Sequence, residues 1–328
     1  MSTIKEDLQQ FLAEWNNSSP TLEVRTSGST GIPKRMMVRK DQMVNSARLT
    51  CDFLGLKKGD KALLCMPLPY IAGKMMVVRS LVAELDLIVR EPSGHPLADI
   101  NFPIRFAAMI PLQVYNTLQV PEERERLCQI DILIIGGGSI DKDLEEQIRQ
   151  LPNQVYSTYG MTETLSHIAL RRLNGPDASD YYIPFSSVKL SLSPDKTLVI
   201  DVPLVTNELL TTNDVAELLP DGRFRIMGRR DNIINSGGIK VQIESVEEQL
   251  RTILSKDFAI TSVPDPKFGE VIVLLTTPCE KIQKISFDCL PKYQRPKHLL
   301  TVNAIPHTET GKIDRAACRR IALNLLQK

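Results

Sequence analysis

The chain has 328 residues, 42% of them hydrophobic and 24% charged, and its formal net charge is +1. These totals predict a folded protein of about two domains and give no field that would favour nucleic acid or an anionic membrane. No apolar run approaches the roughly 18 residues of a membrane-spanning helix. We expect the acidic, amphipathic amino-terminal segment not to be a secretory signal. The six cysteines contain no C-x-x-C pair, which favours reduced thiols in a cytoplasmic protein over a disulfide framework or a zinc site.

A helix and a hairpin are the first predicted elements. Apolar residues recur at helical spacing at Ile4, Leu8, Phe11, Leu12 and Trp15. The stretches TLEVRT and KRMMVRK are typical of strands, so the Gly-, Ser- and Thr-rich loop between them is predicted to be a hairpin tip. A Walker A loop has the spelling G-x-x-x-x-G-K-[ST] and leads from a strand into a helix. Here Pro33 replaces the second glycine and no Ser or Thr follows Lys34, which argues against a P-loop kinase.

Helices and strands then alternate through the middle of the chain. The predicted order is a helix over 41–54, the strand KALLCMP, the helix IAGKMMVVRSLVAE, the strands LDLIVRE and DILIIGGGS, the helix DKDLEEQIRQ and the strand QVYSTYG. Such alternation predicts a parallel, doubly wound sheet covered by helices. Short strands and turns over 188–226 predict a small β section that closes this domain.

The last part of the chain has a different pattern. A helix over 243–254, the strands FAITSV and EVIVLLTT, and a final helix over 314–325 predict a small α+β domain. We therefore predict a large α/β amino-terminal domain over residues 1–231. A small, mobile carboxy-terminal domain is predicted over residues 232–328.

Four separated motifs occur in one order along the chain: TSGSTGIPK, YGMTE, TND followed by GRRDNIINSGG, and PHTETGKIDR. Together they resemble the adenylate-forming acyl-CoA synthetase family over nearly the whole chain. The resemblance implies an enzyme that activates a carboxylic acid with ATP and Mg²⁺ and passes the acyl group to the thiol of coenzyme A. Typical members carry a further subdomain before the first motif, whereas only residues 1–25 precede it here. The amino-terminal domain is therefore shortened, either as a natural short branch or because part of the scaffold is absent.

The resemblance implies a set of nucleotide-binding residues. The β- and γ-phosphates contact Thr26, Ser27, Gly28, Ser29, Thr30, Gly31 and Lys34. Glycine N–H groups can approach an anion closely, while the hydroxyls and the lysine add donors and charge. The adenine slot is lined by Gly137, Gly138, Ser139, Tyr159 and Gly160. Taken alone, the first loop also fits a hairpin tip without a ligand, and Tyr159 also fits a core aromatic residue.

Three residues are implied to act on the reacting groups. Lys312 bridges the acyl and α-phosphate oxygens, where a carboxylate must attack a second anion. Thr162 hydrogen-bonds the α-phosphate. Glu163 ligates Mg²⁺, which usually takes one or two carboxylates together with phosphate oxygens and waters. The alternatives are a surface lysine after a turn glycine and a solvated loop carboxylate.

Further roles follow from the third motif. Asp214 is implied to bind the ribose hydroxyls, because a carboxylate can accept two hydrogen bonds at once. Arg229 is implied to contact the ribose. Asp231 matches the hinge on which the small domain pivots. Gly238 matches the position that lines the pantetheine tunnel during thioester formation.

The stretch MPLPYIAGKMMVVRS, with LIIGGGS further on, looks most like the o-succinylbenzoate–CoA ligases of menaquinone synthesis. That acid has an aromatic ring and a second carboxylate. The expected acid-binding residues are Tyr70, Ala72, Gly73, Lys74 and Arg79. Five positions separate the two cations, which is about 140° on a 3.6-residue helix. We therefore expect one of them to face the acid and the other to be solvated.

Two other functions stay open at this point. One is ligation of another aryl or short-chain acid, to coenzyme A or to a carrier-protein thiol. The other, of a different class, is a non-catalytic adenylate-binding protein. The expected partners are small molecules, and a homodimer is compatible with the sequence. The four histidines show no metal-ligand spacing, so we expect hydrogen-bonded or solvated side chains.

Overall fold

The computed structural model describes residues 3–25, 35–138, 140–254, 257–278, 286–308 and 313–326. Its helices are α1 (Ile4–Asn16), α2 (Lys40–Leu54), α3 (Ile71–Ala83), α4 (Pro111–Gln119), α5 (Pro121–Cys128), α6 (Lys142–Arg149), α7 (Ile243–Arg251) and α8 (Arg315–Leu326). Gly55 ends α2 in the left-handed conformation, with φ +61°, as the sequence predicts. Within these residues no helix is long and apolar enough to cross a membrane.

Eighteen strands complete the described structure. They are β1 (Thr21–Arg25), β2 (Arg35–Arg39), β3 (Lys61–Leu64), β4 (Asp86–Val89), β5 (Ile104–Met109), β6 (Ile130–Ile135), β7 (Gln154–Gly160), β8 (His167–Arg172), β9 (Ile183–Pro184), β10 (Lys189–Leu192), β11 (Thr197–Asp201), β12 (Leu210–Leu218), β13 (Phe224–Arg229), β14 (Ile233–Ser236), β15 (Ile239–Gln242), β16 (Phe258–Asp265), β17 (Gly269–Thr276) and β18 (His298–Thr301). A four-stranded sheet has the order β10-β11-β12-β13, which corresponds to the predicted β section.

The chain divides into two compact units. The first comprises residues 1–191, 199–210 and 218–225, and the second comprises residues 192–198, 211–217 and 226–328. The predicted division into residues 1–231 and 232–328 stays a prediction.

A seven-stranded sheet forms the centre of the first unit, with the order β4-β3-β5-β6-β7-β8-β9. Its strands are parallel from β4 to β7 and antiparallel from β7 to β9. The chain proceeds in one direction from β3 to β4 and in the other from β5 to β7. Because crossovers between parallel strands are right-handed, the helices of these two halves lie on opposite faces. This confirms the predicted doubly wound α/β domain.

Apolar side chains from β3, β5, β6, α4 and α6 pack together on one side of this sheet. The fully buried members include Leu63, Ala107, Leu133, Val114 and Ile148. The parallel strands are near-continuous apolar runs because both of their faces are covered. Local sequence patterns do not predict β5, α4 or α5, although Pro111 and Pro121 each stand at the first helical position, where proline is favoured.

The hairpin predicted at the start of the chain is present. β1 and β2 pair antiparallel, from Thr21 opposite Arg39 to Arg25 opposite Arg35. This arrangement differs from a Walker loop, because the described chain continues after the loop as a strand. The loop itself, residues 26–34, lies outside the described residues.

The second unit contains a five-stranded sheet with helices on both faces. Its order is β15-β14-β17-β16, and β18 pairs parallel with β17. Side chains alternate across a strand, so Ile272 and Leu274 pack with Val246 and Leu250 of α7. The intervening residues of β17, together with Cys318 and Ala322 of α8, form a second core. This confirms the predicted small α+β domain.

Candidate active site

Predicted site residues of the first unit follow the carboxyl ends of parallel strands. Tyr70 follows β3, Gly137 follows β6, and Thr162 and Glu163 follow β7. The carboxyl ends of parallel strands meet at one edge of a sheet, so these loops share that edge. The direction of strand addition reverses between β3 and β5. In open α/β sheets, ligands bind in the crevice outside such a switch point.

The base of the predicted phosphate loop lies at the same edge. Arg25 pairs with Arg35 where the hairpin closes, and Arg25 also forms a parallel bridge with Tyr70. This bridge brings the end of β1 beside the segment that follows β3. The phosphate-binding residues themselves, 26–31 and Lys34, are not among the described residues, so their roles stay predictions.

Close contacts fix the turn that follows β7. A Cβ added to Gly160 would lie 2.2 Å from the carbonyl oxygen of Ser166, so only glycine fits there. Thr164 is fully buried, and its Oγ1 accepts a hydrogen bond from the N–H of Met161 at 2.9 Å. Leu165 has φ +60°, a conformation that residues other than glycine seldom adopt. These contacts hold the short 3₁₀ turn over residues 162–164 in one conformation.

The turn presents the two residues expected to meet the phosphate and the metal. Thr162 is partly buried and Glu163 is exposed. No described group hydrogen-bonds the Glu163 carboxylate, so it is free to ligate a cation. The part of the chain that the structure describes has no cluster of three or more His, Cys, Asp or Glu side chains that could hold a metal. A single carboxylate suits Mg²⁺ bound mainly by nucleotide phosphates and waters.

Tyr159 lies against two other aromatic rings. Its ring centroid is 5.1 Å from that of Phe224, edge to face, and 5.8 Å from that of Tyr182. Tyr182 and Phe224 are themselves stacked at 5.4 Å. Such contacts restrict the ring of Tyr159, which is only partly buried. The ring therefore packs on protein and also keeps an accessible part, which suits adenine stacking.

Glycines allow the close approach of β6 and β7. A Cβ added to Gly136 would lie 2.4 Å from Thr158 Oγ1, and Gly137 has φ +83°. Packing and backbone conformation thus account for two of the glycines in GGGS. The adenine contacts of Gly137, Gly138 and Gly160 stay predictions, and Ser139 lies outside the described residues.

The residues predicted around the ribose and the hinge meet within the second unit. Arg229 Nη1 donates to Asp214 Oδ1 at 2.9 Å, and its Nη2 lies 3.3 Å from Asp231 Oδ2. Asn213 Nδ2 donates to the same Asp231 oxygen at 3.0 Å. One guanidinium therefore links the predicted ribose carboxylate to the predicted hinge carboxylate. Their roles toward ribose and as a hinge stay predictions.

Lys312 is outside the described residues, but both of its flanks are described. His307 and Ile313 form an antiparallel bridge, and the N–H of Asp314 donates to the carbonyl of Pro306 at 2.9 Å. The ends of the motif are therefore brought together just before α8. Gly238 follows β14 with φ +81°, a conformation for which glycine is favoured, and a Cβ added there would meet no described atom within 4 Å.

The structure corrects the expected exposure of the two cations on α3. Lys74 is 9% exposed and Arg79 is 2% exposed, so neither is solvated. The expectation was wrong because it assumed that a charged residue on a helix lies on the solvent-exposed face. In fact α3 is buried all along Gly73–Ser80. The predicted 140° separation agrees with the different partners of the two side chains. Lys74 Nζ donates to the carbonyl of Glu23 in β1, whereas Arg79 Nη2 donates to Ser166 Oγ.

The other predicted acid-binding residues lie at the start of α3. Tyr70 is partly buried and Ala72 is exposed. A Cβ added to Gly73 would lie 2.4 Å from the carbonyl oxygen of Pro67. Backbone packing therefore requires glycine at 73, whatever its place in the acid pocket.

The structure also places together residues that the sequence analysis did not single out. Thr50, Ser166 and His167 form hydrogen bonds behind the turn after β7. Phe224 and Tyr182 support Tyr159. No motif marks these residues, because they become neighbours only through the fold.

Comparisons with known proteins assign the family. The model of the AMP-binding enzyme family matches residues 13–201, which is more than half of the chain, so the protein belongs to that family. The 2-succinylbenzoate–CoA ligase of Lactococcus lactis is 24% identical over 92% of this chain and 71% of its own. A probable 2-succinylbenzoate–CoA ligase of Mycobacterium tuberculosis is 26% identical over 91% of this chain and 84% of its own.

Solved structures agree with this assignment. An acyl-CoA synthetase (AMP-forming)/AMP-acid ligase II-like protein of Dyadobacter fermentans is 32% identical, with a TM-score of 0.67, over 96% of this chain and 93% of its own. The o-succinylbenzoate coenzyme A synthetase of Bacillus subtilis, solved with ATP and magnesium ion, has a TM-score of 0.74 at 20% identity. It is matched over 90% of this chain and 68% of its own, and it supports the fold.

Proposed function

We propose that the protein is an ATP-dependent acid–CoA ligase that converts 2-succinylbenzoate to its CoA thioester through an acyl-adenylate. The observation that carries this proposal is the fixed turn after β7, which presents Thr162 and Glu163 at the carboxyl edge of the sheet, the edge on which the switch point also opens. The relatives named as 2-succinylbenzoate–CoA ligases support the choice of acid. The neighbour solved with ATP and magnesium ion supports the nucleotide.

In the first half-reaction, a carboxylate oxygen of the acid attacks the α-phosphorus of ATP. The bond between the α-phosphorus and the bridging oxygen breaks, and pyrophosphate leaves. Thr162 donates a hydrogen bond to the α-phosphate and Tyr159 stacks on adenine. Glu163 would hold Mg²⁺ together with the phosphates, and the bound cation would supply charge neutralisation on the leaving group. In the second half-reaction, the thiolate of coenzyme A attacks the acyl carbon and AMP leaves.

Lys312 has the central electrostatic role in the first half-reaction. Two anions must approach each other, and their repulsion raises the barrier. A cation between the acyl oxygen and the α-phosphate lowers this repulsion and fixes the direction of attack. The bridge between His307 and Ile313 brings together the two described ends of the segment that carries Lys312.

We assign the second carboxylate of the acid to Lys74 rather than to Arg79. Lys74 Nζ donates to the carbonyl of Glu23 at 2.8 Å, which leaves two of its three donors. Burial lowers the pKa of Lys74, so an anionic ligand would stabilise its charged form. A carboxylate buried without a cation is costly, and Lys74 is a buried cation in the first turn of α3.

Pyrophosphate release with a panel of acids tests the proposed function. 2-Succinylbenzoate should release pyrophosphate far faster than benzoate or a fatty acid, and coenzyme A should be consumed in equal amount. Faster pyrophosphate release with another acid would identify that acid as the substrate and would leave the proposed enzyme class unchanged. Binding of ATP without pyrophosphate release for any acid would indicate a non-catalytic adenylate-binding protein.

A further inference from the structure

A buried cation lies behind the turn that follows β7. Arg79 is 2% exposed, and its Nη2 donates to Ser166 Oγ at 2.6 Å. Its Nη1 lies 3.8 Å from Met76 Sδ, and its Nε has no hydrogen-bond partner in the described part of the chain. Among the described residues no carboxylate pairs with Arg79. Burying an uncompensated charge destabilises a protein. The short hydrogen bond to Ser166 is therefore the contact that stabilises this guanidinium in its buried position.

The hydrogen bonds continue from Ser166 to helix α2. His167 Nδ1 lies 3.2 Å from Ser166 Oγ, and His167 Nε2 lies 3.1 Å from Thr50 Oγ1. Thr50 Oγ1 in turn lies 3.3 Å from the carbonyl oxygen of Ser46. We call Arg79, Ser166, His167, Thr50 and the Ser46 carbonyl the polar chain. It joins α3, the turn after β7, and α2.

With His167 neutral, one arrangement of protons satisfies every contact of the polar chain. Thr50 has a single hydroxyl proton and donates it to the Ser46 carbonyl, so Thr50 accepts from His167 Nε2. His167 Nδ1 then accepts from the Ser166 hydroxyl, which itself accepts from Arg79. His167 is therefore the tautomer with its proton on Nε2. Burial and the nearby charge of Arg79 hold the pKa of His167 well below its usual value, which agrees with this neutral form.

Ser166 is held from two directions. Its side chain belongs to the polar chain, and its carbonyl oxygen lies 2.7 Å from Thr164 Oγ1 and against Gly160. Thr164 and Gly160 belong to the turn that carries Thr162 and Glu163. A shift of Ser166 would therefore move the turn.

We propose that Arg79 and Ser166 are positioning residues that fix the turn presenting Thr162 and Glu163 to Mg²⁺ and the nucleotide. This inference rests on the proposed function for the identity of those ligands. Arg79 acts through Ser166 and does not contact the acid. Groups that orient a metal ligand commonly affect metal affinity as much as activity.

Equilibrium binding of Mg²⁺–ATP, measured by titration calorimetry, tests this inference without any acid. Ser166→Ala removes the hydroxyl between Arg79 and His167. We expect the dissociation constant for Mg²⁺–ATP to rise roughly tenfold, as for other outer-shell contacts of metal sites. Ser80→Ala is the matched control, because Ser80 is a buried hydroxyl on the same helix that only donates to the carbonyl of Met76. The Ser80→Ala variant should bind Mg²⁺–ATP with the dissociation constant of the wild type.

A purely structural role makes a different prediction. Folding stability would then fall in Ser166→Ala while the folded fraction bound Mg²⁺–ATP normally, and that result would overturn the inference. If Ser166→Ala does not fold, Thr50→Val breaks the far end of the polar chain with a side chain of similar shape and carries the same test.

Kinetics separate this inference from the proposed function. Arg79→Lys should lower kcat/KM equally for 2-succinylbenzoate and for a monocarboxylic analogue, because both acids need the same nucleotide site. A selective loss for the dicarboxylate would place Arg79 in the acid pocket and contradict the inference. Failure of the wild type to activate any acid would refute the proposed function, yet the Mg²⁺–ATP titrations would still decide the role of Ser166.

Discussion

Lys312 is the residue on which the proposed chemistry depends most. Replacement by alanine removes the cation between two approaching anions, so acyl-adenylate formation should fall by roughly a hundredfold to a thousandfold, as for other preorganised electrostatic groups. Thioester formation from pre-made acyl-adenylate should stay near the wild-type rate, because the predicted rotation of the small domain carries Lys312 away. Rapid-quench assays of the two half-reactions measure this. An equal loss in both would contradict the assigned role.

Lys74 should decide between a dicarboxylate and a monocarboxylate. Lys74→Met should weaken transition-state binding of 2-succinylbenzoate by about 2 kcal/mol, which is roughly 30-fold in kcat/KM. The same change should barely affect a monocarboxylic analogue. The ratio of kcat/KM for the two acids cancels any loss of folded enzyme. An unchanged ratio would mean that other groups hold the second carboxylate.

These two cations also mark what the sequence can and cannot predict at the scale of single residues. The angle between Lys74 and Arg79 follows from helix geometry and is confirmed. Their burial does not follow from the sequence, because it depends on which elements cover α3. The partners Glu23 and Ser166 are 51 and 87 positions away, and local patterns contain no information on such contacts.

At the scale of elements, α3 is predicted not to tolerate a side chain larger than hydrogen at Gly73. Alanine would gain about 1 kcal/mol in helix propensity, but its Cβ would meet the backbone of Pro67. We expect a net loss of about 2 kcal/mol in the free energy of unfolding, measured with urea. Gly94→Ala is the control, since its Cβ would meet only the side-chain amide of Asn116, which can move. Higher stability of Gly73→Ala than of the wild type would contradict this packing.

His167, in strand β8, should make the folding stability of the protein depend on pH. The pKa of His167 lies well below 6.5 because the ring is buried beside Arg79, whereas the unfolded chain has a value of about 6.5. Below that pH the unfolded state binds a proton that the native state does not. Stability is therefore lost as pH falls below about 6.5.

Comparison with a variant isolates this effect. In His167→Gln the slope of the free energy of unfolding between pH 5 and 6 should be smaller than in the wild type by up to about 1.4 kcal/mol per pH unit. Other titrating groups contribute equally to both proteins and cancel. Equal slopes would show that His167 titrates normally in the folded state.

Strong local patterns explain which elements were predicted. The helix α2 has an apolar face and a terminal glycine, and every residue of the strand β6 except Asp131 is Ile or Leu. By contrast, β5 (IRFAAM) contains two alanines, which are depleted in strands, and its identity depends on pairing with β3 and β6. The antiparallel β8 was missed for a similar reason, because its place is set by β7 and the turn between them.

At the scale of the whole molecule, the fold class follows from the sequence, and the division into residues 1–231 and 232–328 stays a prediction. Residues 211–217 group with residues 226–328 in the second unit, so the unit contains Asn213 and Asp214 beside Arg229 and Asp231. Strands distant in sequence therefore belong to one compact unit, a grouping that local sequence patterns do not predict. Homodimer formation stays a prediction.

The predicted hinge gives a test at this scale. Asp231→Pro restricts the backbone, whereas the control Asp231→Ala removes the same carboxylate and leaves the backbone free. We expect Asp231→Pro to keep acyl-adenylate formation within about threefold of Asp231→Ala and to lose thioester formation, because the pivot serves only the second step. Wild-type overall turnover in Asp231→Pro would place the hinge elsewhere.

The measurement that tests the central claim most directly is a single-turnover reaction with 2-succinylbenzoate and Mg²⁺–ATP, first without and then with coenzyme A. Mass spectrometry of the quenched mixture should detect 2-succinylbenzoyl-adenylate and pyrophosphate before coenzyme A is added. After the addition, the adenylate should disappear while AMP and the CoA thioester form in equal amounts. Absence of the adenylate from folded enzyme that binds Mg²⁺–ATP would contradict the account.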